Sequence, residues 1–129
     1  MVTVLSQVDF MVGILVDSCG WVAISKSGIN IDIEMEKIVG KAELKITRNV
    51  KNELRALDNK NLMLQILFLK AEVVGKLSKE HTDTELIDLS RRFSWPVLTI
   101  DKKLKAKLVK NGCSYIEVTS SKSLRMIEA

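Results

Sequence analysis

Apolar residues in this chain gather in short runs separated by amphipathic stretches, and two of the runs stop abruptly on an aspartate. Positions 12–16 read VGILV and end at Asp17; positions 96–100 read PVLTI and end at Asp101. Runs of this length, bounded by polar residues, predict buried strands. Ile31, Met35, Ile38 and Val39 recur at helical spacing and predict a helix over 31–39, with Asp32, Glu34 and Glu36 mostly on its outer side. A strand over 43–46 leads into a helix over 48–57; an apolar-rich helix follows over 61–70, then a short strand over 72–75. Thr82-Asp83-Thr84-Glu85 has the form of a capping box and opens a helix running to about 93. Beyond it the pattern predicts a strand over 97–100, a helix over 102–110 stopped by Gly112, and a strand over 115–118. The stretch 20–28 reads as a loop with one helical turn around 21–25, and 124–127 as a short helical tail.

Strands alternating with helices imply parallel pairing in a layered α/β sheet. Such sheets build their sites just beyond the carboxyl ends of the strands, where Asp17 and Asp101 would stand. A chain of 129 residues is one domain, taken here as 11–129. Residues 1–10 fit no element and read as an extension, with Met11 as an alternative start. They have no basic region followed by a long apolar one, so they do not resemble a signal peptide. The apolar stretches are too short to span a bilayer, and the cytoplasm is the expected compartment. Cys19 and Cys113 make neither a disulfide framework nor a metal knuckle and read as reduced and structural. His81 is the only histidine, which makes a zinc site hard to assemble. The net charge of +4 is compatible with a polyanionic partner without requiring one.

Two helical acids join the strand-end pair. On the 48–57 helix, Val50, Leu54 and Leu57 define the buried face and Arg48, Lys51 and Arg55 lie opposite. Glu53 projects about 40° from Leu57, beside the apolar face and away from the cations. On the next long helix Leu86, Ile87, Ser90 and Phe93 fall together with Asp83 among them, while Glu85, Asp88 and Arg92 point away. Each acid also has an ordinary reading. Asp83 in a first turn favours the helix dipole, Glu85 completes the capping box, and Asp88 forms a surface pair with Arg91 or Arg92. Together, Asp17, Glu53, Asp83 and Asp101 form a set whose mutual repulsion a cation would relieve. Oxygen ligands select Mg²⁺ or Mn²⁺, ions suited to phosphodiester hydrolysis. Ser18 and Thr99 stand beside the strand-end acids, where they orient a ligand or satisfy backbone groups in tight turns.

After Asp101 comes KKLKAKLVK. Leu104, Leu108 and Val109 make its inward stripe, leaving Lys103, Lys107 and Lys110 outward with Lys102 and Lys105 at the border. A solvated helix face explains this pattern, and so does a track for RNA phosphates extended by Arg48, Lys51 and Arg55. Trp21 and Trp95 could stack on bases, although core packing is the commoner use of tryptophan. The chain has neither a nucleotide-cradling glycine loop nor a serine-hydrolase elbow.

VDSCGW, ITRNVKNEL, HTDTELIDLS and TIDKKLKAKL, in that order, resemble the motifs of the PIN-domain ribonucleases. The likeness extends from about Gly13 to the C-terminus. It is nearest to archaeal single-domain PIN proteins, related to VapC toxins and to the PIN nucleases of small-subunit rRNA processing. The resemblance implies a three-layer α/β/α sandwich with a mainly parallel sheet and a Mg²⁺- or Mn²⁺-dependent endoribonuclease. Its acidic quartet falls on Asp17, Glu53, Asp83 and Asp101, with Thr99 matching a frequent Thr-x-Asp. A homodimer is implied, as is an antitoxin partner on the toxin branch. Three motifs depart from the family form. Asp17-Ser18-Cys19 replaces Asp-Thr-Asn, Asp83-Thr84 replaces paired aspartates, and Thr99-Ile100-Asp101 replaces Thr-Asn-Asp. These departures motivate a rival reading, a PIN-like protein that binds RNA or acts as a scaffold without cutting. A phospho-receiver domain also ends strands on aspartate, but it needs a late strand-end lysine where this chain has Asp101.

Overall fold

Leu15 faces one side of the first strand while Ile14 and Val16 face the other, and that alternation divides the molecule into layers. The computed structural model describes residues 11–57, 62–75 and 81–129. Within them the order is β1 (Val12–Val16), α1 (Ser18–Ser27), α2 (Ile31–Val39), β2 (Ala42–Thr47), α3 (Arg48–Leu57) and α4 (Leu62–Lys70). There follow β3 (Glu72–Val74), α5 (Thr82–Phe93), β4 (Val97–Leu98), α6 (Lys102–Lys110), β5 (Tyr115–Val118) and β6 (Leu124–Ile127). The strands form one sheet in the order β3-β2-β1-β4-β5-β6. The pairings are parallel except the last, β5 with β6. Helices α1 to α4 bury Trp21, Ile24, Met35, Leu54 and Leu64 on the face of Ile14 and Val16. Helices α5 and α6 bury Leu86, Leu89, Leu104 and Leu108 on the face of Leu15 and Val97. The expected three-layer α/β/α sandwich is therefore what forms.

Several local readings are corrected. The stretch 18–27 is a full helix because Asp17 caps it and because Trp21 and Ile24 go into the core. Gly28, at φ 71°, ends it in the left-handed region. The tail at 124–127 is a strand: Val118 opposes Leu124 across a tight turn, and Leu124 is buried while Arg125 is exposed. No capping box forms at 82–85. His81 is the N-cap of α5, its Nδ1 accepting from the Asp83 N–H at 3.3 Å. Glu85 is buried and accepts from Asn49 Nδ2 at 3.4 Å, so it points inward and not away. Phe93 and Val109, placed on inward faces above, are exposed, and Phe93 stacks on Trp95. Asp88 does pair with Arg92 on the surface, at 2.8 Å. The 1–10 extension, Asn61 and the Leu57 side chain lie outside what is described. Among the described residues no helix is long and apolar enough to cross a membrane.

Candidate active site at the carboxyl edge of the sheet

The strand order reverses direction between β1 and β4, the place where an open α/β sheet leaves a crevice at its carboxyl ends. Leu15 pairs with Val97 and Val16 with Leu98, so continuing the register brings Asp17 opposite Thr99. The side chains meet there: Thr99 Oγ1 donates to Asp17 Oδ2 at 2.6 Å. The same hydroxyl oxygen accepts from the Asp101 N–H at 3.0 Å. One threonine, fully buried, thus ties both strand-end acids together.

Asp17 is only 6% exposed. Its Oδ1 accepts from the Gly20 N–H at 2.8 Å, closing the first turn of α1. The Cys19 thiol lies 3.1–3.2 Å from both carboxylate oxygens and donates to them. Burial pushes the Asp17 carboxyl above its ordinary value. The donors Thr99, Cys19 and Gly20 pull it back, and the nearby charge of Asp101 pushes it further up. Burial also raises the Cys19 thiol, with the Asp17 charge acting in the same direction. Cys19 is therefore a hydrogen-bond donor here and not a thiolate. Sequence reasoning set this residue aside as structural. Its signal was the position two residues after a strand-end aspartate that caps a helix. Ser18, singled out instead, takes no part in the network among the described residues.

Asp101 caps α6, accepting at Oδ1 from the Lys103 and Leu104 N–H groups at 2.8 and 3.3 Å. The other two acids lie near the start of α5. Glu53 accepts from Thr82 Oγ1 at 2.5 Å, and the adjoining Asp83 pairs with Lys107 Nζ at 3.3 Å. The structure thus places Asp17 beside Asp101, with Glu53 and Asp83 each held by its own partner near the start of α5. Among the described residues no three acidic, histidine or cysteine side chains converge as one metal-holding group.

The cations divide in the same way. Lys102, Lys103 and Lys110 are exposed, and among the described residues they make no ion pair. Lys107 belongs to Asp83, and Lys105 pairs with Glu117 at 2.9 Å beneath the Tyr115 ring. On α3, Arg48, Lys51 and Arg55 line a cavity of about 180 Å³ with Asn52 and Val73. Trp21 is fully buried against Phe68, and Trp95 carries Lys45 over its ring. Trp21 follows Asp17 in α1 but its ring is in the core, and Trp95 precedes β4, at the opposite end of that strand.

Among solved structures, that of the PIN domain endonuclease Utp24 is similar at a TM-score of 0.73. It is 17% identical, over 91% of this chain and 92% of that one. No protein-family model matches the sequence, and no curated protein does. The likeness shows that the chain has the PIN-domain fold.

Proposed function

We propose that the protein is a metal-dependent endoribonuclease that hydrolyses RNA phosphodiester bonds at this edge. One observation carries the reading: Asp17 is buried beside a second carboxylate, and its protein partners are all neutral. Such a pair is held most favourably around a cation. The donors are hard oxygens, which suit Mg²⁺ or Mn²⁺. Asp17, Asp83 and Asp101 would hold the ion, with Glu53 completing the site directly or through water. Held there, such an ion would lower the pKa of an attacking water and stabilise charge on the scissile phosphate. Thr99 and Cys19 fix the Asp17 carboxylate, and Thr99 fixes the Asp101 backbone with it. Lys102, Lys103 and Lys110 hold phosphates along α6, as Arg48 and Lys51 do along α3.

Single-stranded RNA incubated with Mn²⁺ tests the assignment. Wild type cuts, and Asp101→Asn cuts at least a hundredfold more slowly. Equal rates in the two proteins would remove Asp101 from the site. For the basic helix, Lys103→Glu with Lys110→Glu weakens RNA binding and flattens its salt dependence. The loss is about 0.7 in log–log slope per phosphate contact. An unchanged slope would return these lysines to plain solvation.

A second reading, RNA binding without cleavage, draws on the lack of a three-acid group among the described residues. It predicts wild-type affinity for RNA with no metal-dependent products. The homodimer and the antitoxin partner rest on the motif resemblance alone.

A further inference from the structure

We infer that Lys107 is a displaceable counter-ion for Asp83. It holds this acid aside until a divalent cation takes its place, and once released it joins the phosphate-binding face of α6. The inference rests on the metal-dependent reading above.

Of the four acids, only Asp83 has a cationic partner among the described residues. Asp17 takes neutral donors, Asp101 takes backbone N–H groups, and Glu53 takes a hydroxyl. The ammonium of Lys107 reaches across from the second turn of α6 to the first turn of α5. An ammonium and a divalent ion on one carboxylate repel each other, so binding of the ion favours release of the lysine. Expulsion is cheap. The Lys107 side chain is 52% exposed and Asp83 22%, and an ion pair that open to water holds little net energy. The released side chain also has a destination. Lys103 and Lys110 lie four residues before it and three after, on the same outward face, and neither has an acidic partner among the described residues. Swinging away from Asp83 turns that pair of unpaired lysines into a row of three. The same group therefore opposes the metal and favours the nucleic acid.

The two effects have opposite signs, and that makes the inference testable. Calorimetric titration with Mn²⁺ is to be run on wild type, Lys107→Met, Lys107→Gln and Lys110→Met, each checked by its melting curve. Both Lys107 variants bind Mn²⁺ about two- to fivefold more tightly than wild type, the range set by a surface ion pair. Lys110→Met matches wild type. With Mn²⁺ present, Lys107→Met binds a single-stranded oligoribonucleotide more weakly than wild type. Mn²⁺ affinity unchanged or reduced in both Lys107 variants would overturn the inference while leaving the metal site standing. No Mn²⁺ uptake by wild type and variants alike would overturn the metal-dependent reading itself, and this inference with it.

Discussion

On the proposed function, Asp17→Asn sharply slows metal-dependent cleavage and at the same time stabilises the metal-free fold. The loss of rate is about 10³-fold, the equivalent of several kcal/mol of charge stabilisation at the scissile phosphate. The gain in stability comes from the same burial. An amide keeps an acceptor for the Gly20 N–H and keeps the shape of the side chain, but it removes a charge from a site that is 6% exposed. Removing such a strained functional charge commonly returns about 1 kcal/mol, here a rise of roughly 3 °C in melting temperature. The pH dependence distinguishes this from a generic effect. The native carboxyl binds its proton more tightly than the unfolded chain does, because burial raises it above the ordinary 3.8. Its contribution to native stability is therefore complete below 3.8 and is lost as pH rises through the native value. The gap between variant and wild type is full at neutral pH and closes on acidification towards 3.8. A variant that melts below wild type at neutral pH, or cuts at the wild-type rate, would remove Asp17 from the role given to it.

Gly20→Ala has the second large effect, and it reverses the usual helical preference. Inside a helix alanine is ordinarily better than glycine by about 1 kcal/mol. At Gly20 an added Cβ would lie 2.5 Å from the Leu98 carbonyl oxygen and 2.9 Å from Asp17 Oδ1. The nearer obstacle is backbone of a central strand, and its carbonyl already accepts from the Asp17 N–H at 3.3 Å. It cannot rotate aside as a side chain would. The helix must back away from β4, taking with it the N–H that Asp17 Oδ1 accepts. We expect a loss of about 2–3 kcal/mol, read as a lowered urea midpoint with an unchanged slope. On the proposed function cleavage falls as well, since the carboxylate loses its backbone anchor. A midpoint at or above the wild-type value would show that α1 does not pack this closely on the sheet.

The sequence exposed the two strand-end acids for a physical reason. A buried strand must be apolar throughout, so the residue at which it meets solvent announces itself. Glu53 and Asp83 were singled out by facing angles, but the inside of 82–93 is turned from that reading: Glu85 and Leu89 are buried, Phe93 is exposed, and Glu53 itself is exposed. Helix α1 was not recoverable. SCGWVAISKS holds Gly, Ser, Cys, Ile and Val, all modest helix formers, and its stability comes from the Asp17 cap and from Trp21 and Ile24 in the core. Strand β6 spans four residues, too few for alternation to separate it from a helical turn. Glu85 fitted a local capping rule that a tertiary contact with Asn49 overrode. The Lys107–Asp83 pair joins two helices, a relation that periodicity along one helix cannot reveal.

Thr99 and Asp17 touch across 82 positions of sequence, from the two halves of the sheet on either side of its point of reversal. A chain emerging from the ribosome makes Asp17 early and Asp101 late. Neither half alone holds the paired carboxylates, because each contributes one strand end and Thr99 must arrive before they are joined. On the reading proposed above, a nascent chain therefore lacks the paired site through most of its synthesis. Its cutting edge is assembled only when β4 has docked beside β1, late in synthesis.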